Sequence, residues 1–351
     1  MRILGIESSC DETAAAVVED GRRVLSSLIA SQTDMHTRFG GVVPEIAARQ
    51  HLRVIDPLIQ ETLSKANVTM NDIDAIAVTQ GPGLIGALLV GVSYAKGLAL
   101  AHQKPLIPLD HVHAHVHGAL LGVETPSGSV DEIFPCLALV VSGGHSNLYF
   151  MKSPVDYELM AWSVDDACGE CFDKVAKLMG FDYPGGPVIE RLARAGTLGR
   201  VKMPRMVGQK SKLMFSYAGL KTHMVNLWRE RPESSPITES ELADMCAAFQ
   251  EEAFDQLVRK TAIVSKQRPE AKNILVAGGV AANECLRRMI HDKLKLRPHF
   301  PHPRFCADNG AMIACYGYHL ARFQRVNTHD MGWDAYSRYG FNVTAPKEPT
   351  Q

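Results

Sequence analysis

Leu137-Ala138-Leu139-Val140-Val141-Ser142-Gly143-Gly144-His145-Ser146-Asn147-Leu148-Tyr149-Phe150-Met151 is the stretch that decides how this chain folds. The unbroken apolar run 137–141 reads as a buried strand, 142–147 as a polar, glycine-bearing turn, and 148–151 as the returning strand. The same grammar occurs near the N-terminus. Residues 3–7 form a short apolar strand, Glu7-Ser8-Ser9-Cys10-Asp11-Glu12-Thr13 a polar turn, 14–18 a returning strand, and 24–30 a third. Ile6-Glu7-Ser8-Ser9 and Val141-Ser142-Gly143-Gly144 match in role 135 residues apart. That offset is too long for a solenoid repeat and fits two copies of one domain. Helices and strands alternate after each hairpin, which is an α/β pattern. Two such lobes facing each other make a cleft with a polar hairpin tip on each side, the default place for a ligand. The expected lobes are 1–134 and 135–324, with 325–351 packing back on the first.

Between the hairpins, Pro44 opens a helix through Leu63, with Pro57 as a kink or break. A strand over 72–79 leads through Gly81-Pro82-Gly83 to a helix over 85–100 and a strand over 106–109. After the second hairpin, a helix is expected over 165–180. Tyr183-Pro184-Gly185-Gly186-Pro187 reads as a rigid turn before a helix over 188–195. Residues 196–236 are the least regular part, and a helix follows over 239–265. The strand 274–277 then runs into Gly278-Gly279-Val280-Ala281-Ala282-Asn283, which opens a helix over 284–294. Glycines between a strand and a helix N-terminus let a phosphate or nucleoside approach the backbone, although tight turns of this kind use glycine anyway. Asp308 precedes the last helix, 311–322, and reads either as its N-cap or as a ligand held at a fixed helix start.

Composition bounds the function. The 351 residues suggest about two domains. Lys+Arg 37 against Asp+Glu 38 gives a net charge of −1, so no global electrostatic footprint points to nucleic acid. The N-terminus enters a strand directly, without a signal-peptide pattern, and the most apolar run, 84–92, is too short to span a bilayer. A soluble, cytoplasmic protein is expected. Its eight cysteines, spread over the chain, then read as reduced small hydrophobes. Cys168-Gly-Glu-Cys171 has redox or zinc spacing, but no second such pair accompanies it.

The densest chemistry lies in Asp110-His111-Val112-His113-Ala114-His115-Val116-His117, four of the 14 histidines in seven residues. As a strand they share one face. As a helix capped by Asp110 and running to about Leu121 they form two pairs, His111/His115 and His113/His117, on different faces. Two imidazoles one turn apart can hold a metal, with a third ligand from far along the chain; the bland alternative is a hydrogen-bonded, histidine-rich turn.

Several segments occur together, in order, in one family. They are Gly5-Ile6-Glu7-Ser8-Ser9-Cys10-Asp11-Glu12-Thr13, Gly40-Gly41-Val42-Val43-Pro44-Glu45, Gly81-Pro82-Gly83-Leu84, His111-x-x-x-His115 and Val141-Ser142-Gly143-Gly144-His145. Phe172-Asp173-Lys174, Tyr183-Pro184-Gly185-Gly186-Pro187, Gly219-Leu220-Lys221-Thr222, Ala277-Gly278-Gly279-Val280-Ala281-x-Asn283 and Asp308-Asn309-Gly310-Ala311-Met312 follow. From Ile3 to about Phe323 the chain resembles the tRNA N6-adenosine threonylcarbamoyltransferases, once labelled O-sialoglycoprotein endopeptidases, in a bacterial-type catalytic form. The resemblance implies an actin/hexokinase-like (ASKHA) duplicated α/β fold with a central nucleotide and metal cleft. It implies transfer of threonylcarbamoyl from threonylcarbamoyl-adenylate to N6 of adenosine 37, just 3′ of the anticodon, in tRNAs reading A-starting codons, with release of AMP. It implies one divalent metal, Fe2+ or Zn2+, on His111, His115 and Asp308, leaving His113 and His117 as bystanders able to hold a stray second metal. It implies donor binding by Val140, Val141, Ser142, Gly143, Gly144, Asp173, Gly186, Glu190 and Asn283. The implied partners are tRNA, a shorter paralogue lacking the metal ligands, a small P-loop ATPase, and a second copy in a homodimer. The positions of Cys168 and Cys171 usually carry small residues in the family, so no chemistry is expected of them.

On the residues themselves, Gly278 and Gly279 with Asn283 suit the adenosine, the amides of 142–144 a phosphate, and Asp173 a ribose. Asp11 and Glu12, at the other hairpin tip, suit orienting the amine or accepting its proton, or else form a capped turn. Two other reaction classes stand as alternatives: an ATP-dependent small-molecule kinase of the same superfamily, and a metalloprotease. The latter lacks the HExxH base, because Val112 follows the first histidine.

Overall fold

Strand formation near the N-terminus follows from side chains that leave water completely: Ile3, Leu4 and Ile6 are buried, as is every residue from Ala14 to Val18. The computed structural model describes residues 1–121, 123–126, 128–206, 213–231, 237–325 and 330–338. It divides into two compact units, Met1–His117 with Asp308–Gln351, and Gly118–Ala307.

In the first unit β1 (Arg2–Glu7), β2 (Glu12–Glu19) and β3 (Arg23–Ser31) form an antiparallel meander. The short α1 (Thr33–Thr37) and the long α2 (Pro44–Lys65) follow. Next come β4 (Ala75–Gly81), α3 (Ile85–His102), β5 (Leu106–Asp110) and α4 (His111–Gly118). The sheet order is β3-β2-β1-β4-β5, with β4 parallel to both neighbours.

The second unit repeats this plan. Its strands are β6 (Cys136–Val141), β7 (Ser146–Ser153) and β8 (Asp156–Ser163), antiparallel in sequence. The helices α5 (Cys168–Leu178) and α6 (Gly185–Ala193), the two-residue β9 (Met214–Phe215), α7 (Ala218–Arg229) and α8 (Glu239–Gln267) come next. The unit closes with β10 (Asn273–Ala277), α9 (Glu284–Lys293) and β11 (Arg297–His299). Its sheet order is β11-β10-β6-β7-β8-β9, with β10 parallel to β6 and β11. Without the small edge strand, β8-β7-β6-β10-β11 reproduces β3-β2-β1-β4-β5 strand for strand and direction for direction. The duplication read from the two hairpins is therefore written into both sheets.

The last helix, α10 (Gly310–Arg322), packs on β1, β2, β4 and β5. The expected second lobe ran to residue 324, whereas the compact units assign this helix to the first. Glycines make the contact possible. A Cβ on Gly5 would lie 2.3 Å from the Gly310 carbonyl oxygen, and one on Gly310 would lie 2.5 Å from the Ala15 backbone carbon. The described part of the C-terminal segment also packs on the first unit, where Tyr336 Oη donates to Asp110 Oδ2 at 2.9 Å and Lys96 lies over the Trp333 ring. Residues 326–329 and 339–351 lie outside the described residues.

Other local expectations shift. Helix α2 continues through Pro57, because Pro57 and Arg53, whose carbonyl loses its partner, both face solvent. Asp165 and Asp166 precede α5 instead of opening it. Asp165 accepts from Ser216 Oγ and Tyr217 N, and Asp166 pairs with Lys174 and Lys221. Gly185-Gly186-Pro187 is the first turn of α6, not a turn before it; Pro187 is tolerated because first-turn N–H groups have no intrahelical acceptor. The stretch 196–236 contains α7. Helix α3 outruns the apolar stretch read from sequence and is long and apolar enough to cross a membrane, by length and composition only. Here it buries Ala87, Leu88, Gly91, Val92, Ala95 and Ala99, packed with α2 and β4.

All eight cysteines are free thiols. Cys168 and Cys171 are buried in the second core, and burial pushes the Cys168 thiol up to about 12 and the Cys171 thiol higher still. Such thiols are inert packing groups. The Cys168→Ala/Cys171→Ala variant is expected to keep full activity under reducing and non-reducing conditions and to lose about 1–2 kcal/mol of stability in a denaturant titration.

Candidate functional site

Helix α4 begins directly at the end of β5. Asp110 caps it, Oδ1 accepting from His113 N at 2.9 Å. This fixes the helical phase of the histidines. His111 and His115 stack edge to face, 4.7 Å between ring centroids. His113 lies toward Asp110 and Tyr316, and His117 stacks on Tyr316.

The cap of α10 answers the question left by Asp308. Asn309, not Asp308, caps the helix: its side chain accepts from Met312 N at 2.9 Å. The carboxylate of Asp308 is released from that duty and reaches the histidines. Its Oδ1 lies 3.4 Å from His115 Nε2 and 3.7 Å from His111 Nε2. One ligand atom from each of His111, His115 and Asp308 falls within 4.8 Å of the others. Two imidazoles and a carboxylate are a donor set that suits iron(II) or zinc and leaves coordination positions open.

Sequence reading overlooked Glu7. The end of β1 brings its carboxylate, wholly buried, to His111 Nδ1 at 3.0 Å. Ser9 N and Thr79 Oγ1 also donate to it, at 2.5 and 2.6 Å. Burial alone raises this carboxyl, but the charge of His111 and these hydrogen bonds outweigh burial and bring it down to about 2. Burial likewise opposes the charge on His111, and Glu7 with Asp308 overcomes it, pushing the imidazole up to about 9. Burial dominates at Asp308 and lifts it to about 6. Glu7 thus accepts the Nδ1–H hydrogen bond of His111 and leaves Nε2 facing Asp308, the way a carboxylate orients a metal-ligating histidine. The sequence signal was an acid at the end of an otherwise apolar strand. Glu7→Gln keeps the shape and removes the charge; metal affinity is expected to fall about 10–100-fold, measured by competition with a chelator.

Asp11 ends the tip between β1 and β2, and Glu12 is the first residue of β2. The base of this tip is held by His51, which bonds Thr13 Oγ1 at 2.7 Å and the Cys10 carbonyl at 2.9 Å. Asp11 is 4 % exposed, and its Oδ2 has no hydrogen-bond partner among the described residues. Burial, then the charges of Asp308 and Asp11, push Glu12 up to about 9.

In the second unit the other expected residues form linked groups. Val140 and Val141 end β6, Val140 pairing with Ala277 of β10. Gly278 follows at φ +91°, and a Cβ there would lie 2.3 Å from the Val141 carbonyl oxygen, so only glycine fits. Ser142 Oγ accepts from His145 N and shapes the hairpin turn. Added Cβ atoms at Gly143, Gly144, Gly186 and Gly279 would meet nothing within 4 Å, so these backbones border open space. Asp173 accepts from Gly185 N at 2.8 Å, and its burial raises its carboxyl. Asn283 is committed at both ends: Oδ1 caps α9 at Cys285 N, and Nδ2 donates to Gln250 at 2.8 Å. Glu190 Oε1 accepts from Glu284 N. Glu190 and Gln250 line a cavity of about 300 Å³, with Arg194, Glu251 and Arg288.

Comparison with known proteins bears on this arrangement. A family model described as tRNA N6-adenosine threonylcarbamoyltransferase matches residues 23–315. The protein of that name from Desulfotalea psychrophila is 45 % identical over 342 residues, covering 96 % of this chain and 97 % of that one. Among solved structures, full-length HypF in its phosphate- and nucleotide-bound form superposes with a TM-score of 0.61 at 12 % identity, over 93 % of this chain and 47 % of that one. The (R)-2-hydroxyglutaryl-CoA dehydratase component A of Acidaminococcus fermentans gives 0.52 at 14 %, over 92 % and 99 %. At such identities these two speak for the fold alone, which is actin/hexokinase-like.

Proposed function

The chain belongs to the tRNA N6-adenosine threonylcarbamoyltransferase family, a family of tRNA-modifying transferases, and from that premise we propose how its own residues carry the reaction. The donor is threonylcarbamoyl-adenylate, the acceptor N6 of adenosine 37 in tRNAs reading A-starting codons, and AMP leaves. The observation that carries this reading is the transfer of capping duty to Asn309, which lets Asp308 converge on His111 and His115.

His111, His115 and Asp308 would hold one divalent ion, iron or zinc, which when bound supplies Lewis acidity toward donor oxygens. Glu7 holds the Nδ1–H of His111, so that the proton a bound metal would displace is the one on Nε2. Asp11 orients the attacking amine and takes its proton at Oδ2, the buried atom without a hydrogen-bond partner among the described residues. Glu12, pushed up to about 9, is protonated at neutral pH and serves as a hydrogen-bond donor beside it. The donor is a mixed anhydride and already activated, so the chain needs no covalent intermediate of its own. The amides of Ser142, Gly143 and Gly144 bind its phosphate. Gly278 and Gly279 receive the adenosine, Asp173 the ribose, and Gly186 and Glu190 border the same ligand. Asn283 acts by fixing the turn that presents Gly279, its amide being spent on α9 and Gln250.

The reading places the reaction in the cytoplasm, where unmodified tRNA is found. A net charge of −1 offers little attraction to a polyanion, which supports partners that bring basic surface: the shorter paralogue, the P-loop ATPase and a second copy of this chain. Membership of the transferase family disfavours the kinase and protease alternatives.

The test mixes the chain with threonylcarbamoyl-adenylate and an unmodified tRNA, with and without those partners, and looks for threonylcarbamoyl-adenosine by mass spectrometry of the digest. Modified nucleoside is expected; its absence even with partners overturns the assignment of donor and acceptor. Gly279→Ala separates binding from folding. Its Cβ meets no protein atom, so the melting temperature is expected to stay put while KM for the donor rises about tenfold, as for a loss of roughly 1.4 kcal/mol.

A further inference from the structure

The histidine-rich helix leaves one of its members in chemistry that the transfer reaction does not use. His117 follows His115 by two residues and so lies on another face of α4. There it meets the interior of α10, where Cys315 and His319 stand one turn apart. One ligand atom from each of the three falls within 4.8 Å of the others. Cys315 Sγ lies 3.9 Å from His117 Nδ1, and the rings of His117 and His319 are 5.2 Å apart. Tyr316 stacks on His117 at 4.4 Å and holds the ring in place. His117 and Cys315 are 0 % exposed and His319 is 1 % exposed. The Gly21 carbonyl, from the turn between β2 and β3, sits 3.0 Å from the sulfur.

We propose that His117, Cys315 and His319 form a second metal site, a buried zinc site with three protein ligands and the fourth position left to a small ligand such as water. The donor set argues for the metal. Two imidazoles and a thiolate are soft to borderline ligands, and zinc takes nitrogen and sulfur at such sites. The set differs from that of His111, His115 and Asp308, which has an oxygen in place of the sulfur. Burial argues for a structural role, since no face of the cluster is open to substrate. Binding replaces the thiol proton of Cys315, which leaves to solvent, with a sulfur–zinc bond; no oxidant or reductant is needed. The consequence is mechanical. A single ion ties α4 to α10, the two helices that carry the first centre, with the ligand pair on α10 and the single ligand on α4. In the first centre the pair is on α4 and the single ligand at the start of α10. The inference stands independently of the proposed transfer reaction, because it concerns residues outside that site.

The test uses the full chain carrying Asp308→Ala, so that the first centre is disabled, loaded with Co2+ as a spectroscopic probe and separately with Zn2+. One equivalent of cobalt is expected, with a near-ultraviolet thiolate-to-cobalt band that Cys315→Ser abolishes. One zinc per chain is expected to survive dialysis and to raise the melting temperature, and to be lost with His117→Asn or His319→Leu. If the Asp308→Ala chain shows no thiolate band and no retained zinc, the proposal falls. It also falls if the band persists with Cys315→Ser, since another cysteine is then the ligand. Should Cys315→Ser fail to fold, loss of the band and of zinc with His117→Asn decides for the site, and their persistence decides against it.

Discussion

Asp308→Ala is expected to abolish threonylcarbamoyl transfer and to leave the fold intact. In the proposed centre the carboxylate is the one oxygen donor grouped with His111 and His115 among the described residues, at 3.7 and 3.4 Å from their Nε2 atoms. Losing a group that merely orients a ligand already costs about 10–100-fold in metal affinity or activity, and losing the ligand itself costs more. The fold survives because the helix does not depend on Asp308; Asn309 holds the Met312 N–H. The neighbouring variant makes the opposite cut. Asn309→Ala removes the cap, is expected to destabilise the protein by about 1 kcal/mol, and retains the metal ligands. Metal analysis, transfer assays and thermal melts on the two variants separate ligation from capping. Equal loss of activity in both would mean that Asp308 acts only through the position of the helix.

Gly5→Val is expected to destabilise the first unit severely. A Cβ at this position would lie 2.3 Å from the Gly310 carbonyl oxygen and 2.5 Å from Ala314 N. Both are backbone atoms and cannot rotate aside, so β1 and α10 must separate. Overpacking that side chains can absorb costs about 1–3 kcal/mol, and this clash exceeds that range against a total stability of roughly 5–15 kcal/mol. Gly310→Val presses equally hard on Ala15 and is expected to behave alike. Circular dichroism and denaturant titration check both; a melting temperature within a few degrees of wild type would show that the helix does not seat on the sheet as described. Because α10 starts beside Asp308, partial separation is expected to cost metal binding before global unfolding.

What was legible in the sequence follows the range of each interaction. The two hairpins declared themselves through local alternation of apolar strand and polar tip, and the matching sheet orders follow from them. The pairing of His111 with His115 needed only helical spacing and the cap at Asp110. The choice between cap and ligand at Asp308 was not local: Asp308 and Asn309 are both good capping residues, and packing against α4 decides which one caps. Glu7 escaped notice because, Ser9 aside, its partners Thr79 and His111 stand far along the chain. Helix α7 was hidden because only Leu220 and Met224 of its residues are buried, too few to set up a helical stripe. The start of α6 was obscured by Gly185-Gly186-Pro187, residues that read as a turn yet fit a first helical turn, where N–H groups are unpaired anyway. The division of the chain went astray at α10, whose membership of the first unit depends on close approach at Gly5 and Gly310, and no periodicity announces that.

The most direct test of the account is to strip the metal and restore it in the reconstituted transfer reaction. The wild-type chain, treated with a chelator and freed of it, is expected to form no threonylcarbamoyl-adenosine and to regain activity when Fe2+ or Zn2+ is added. Asp308→Ala, treated in parallel, is expected to stay inactive after either addition. Undiminished transfer by the metal-free wild-type chain would contradict the role given to His111, His115 and Asp308.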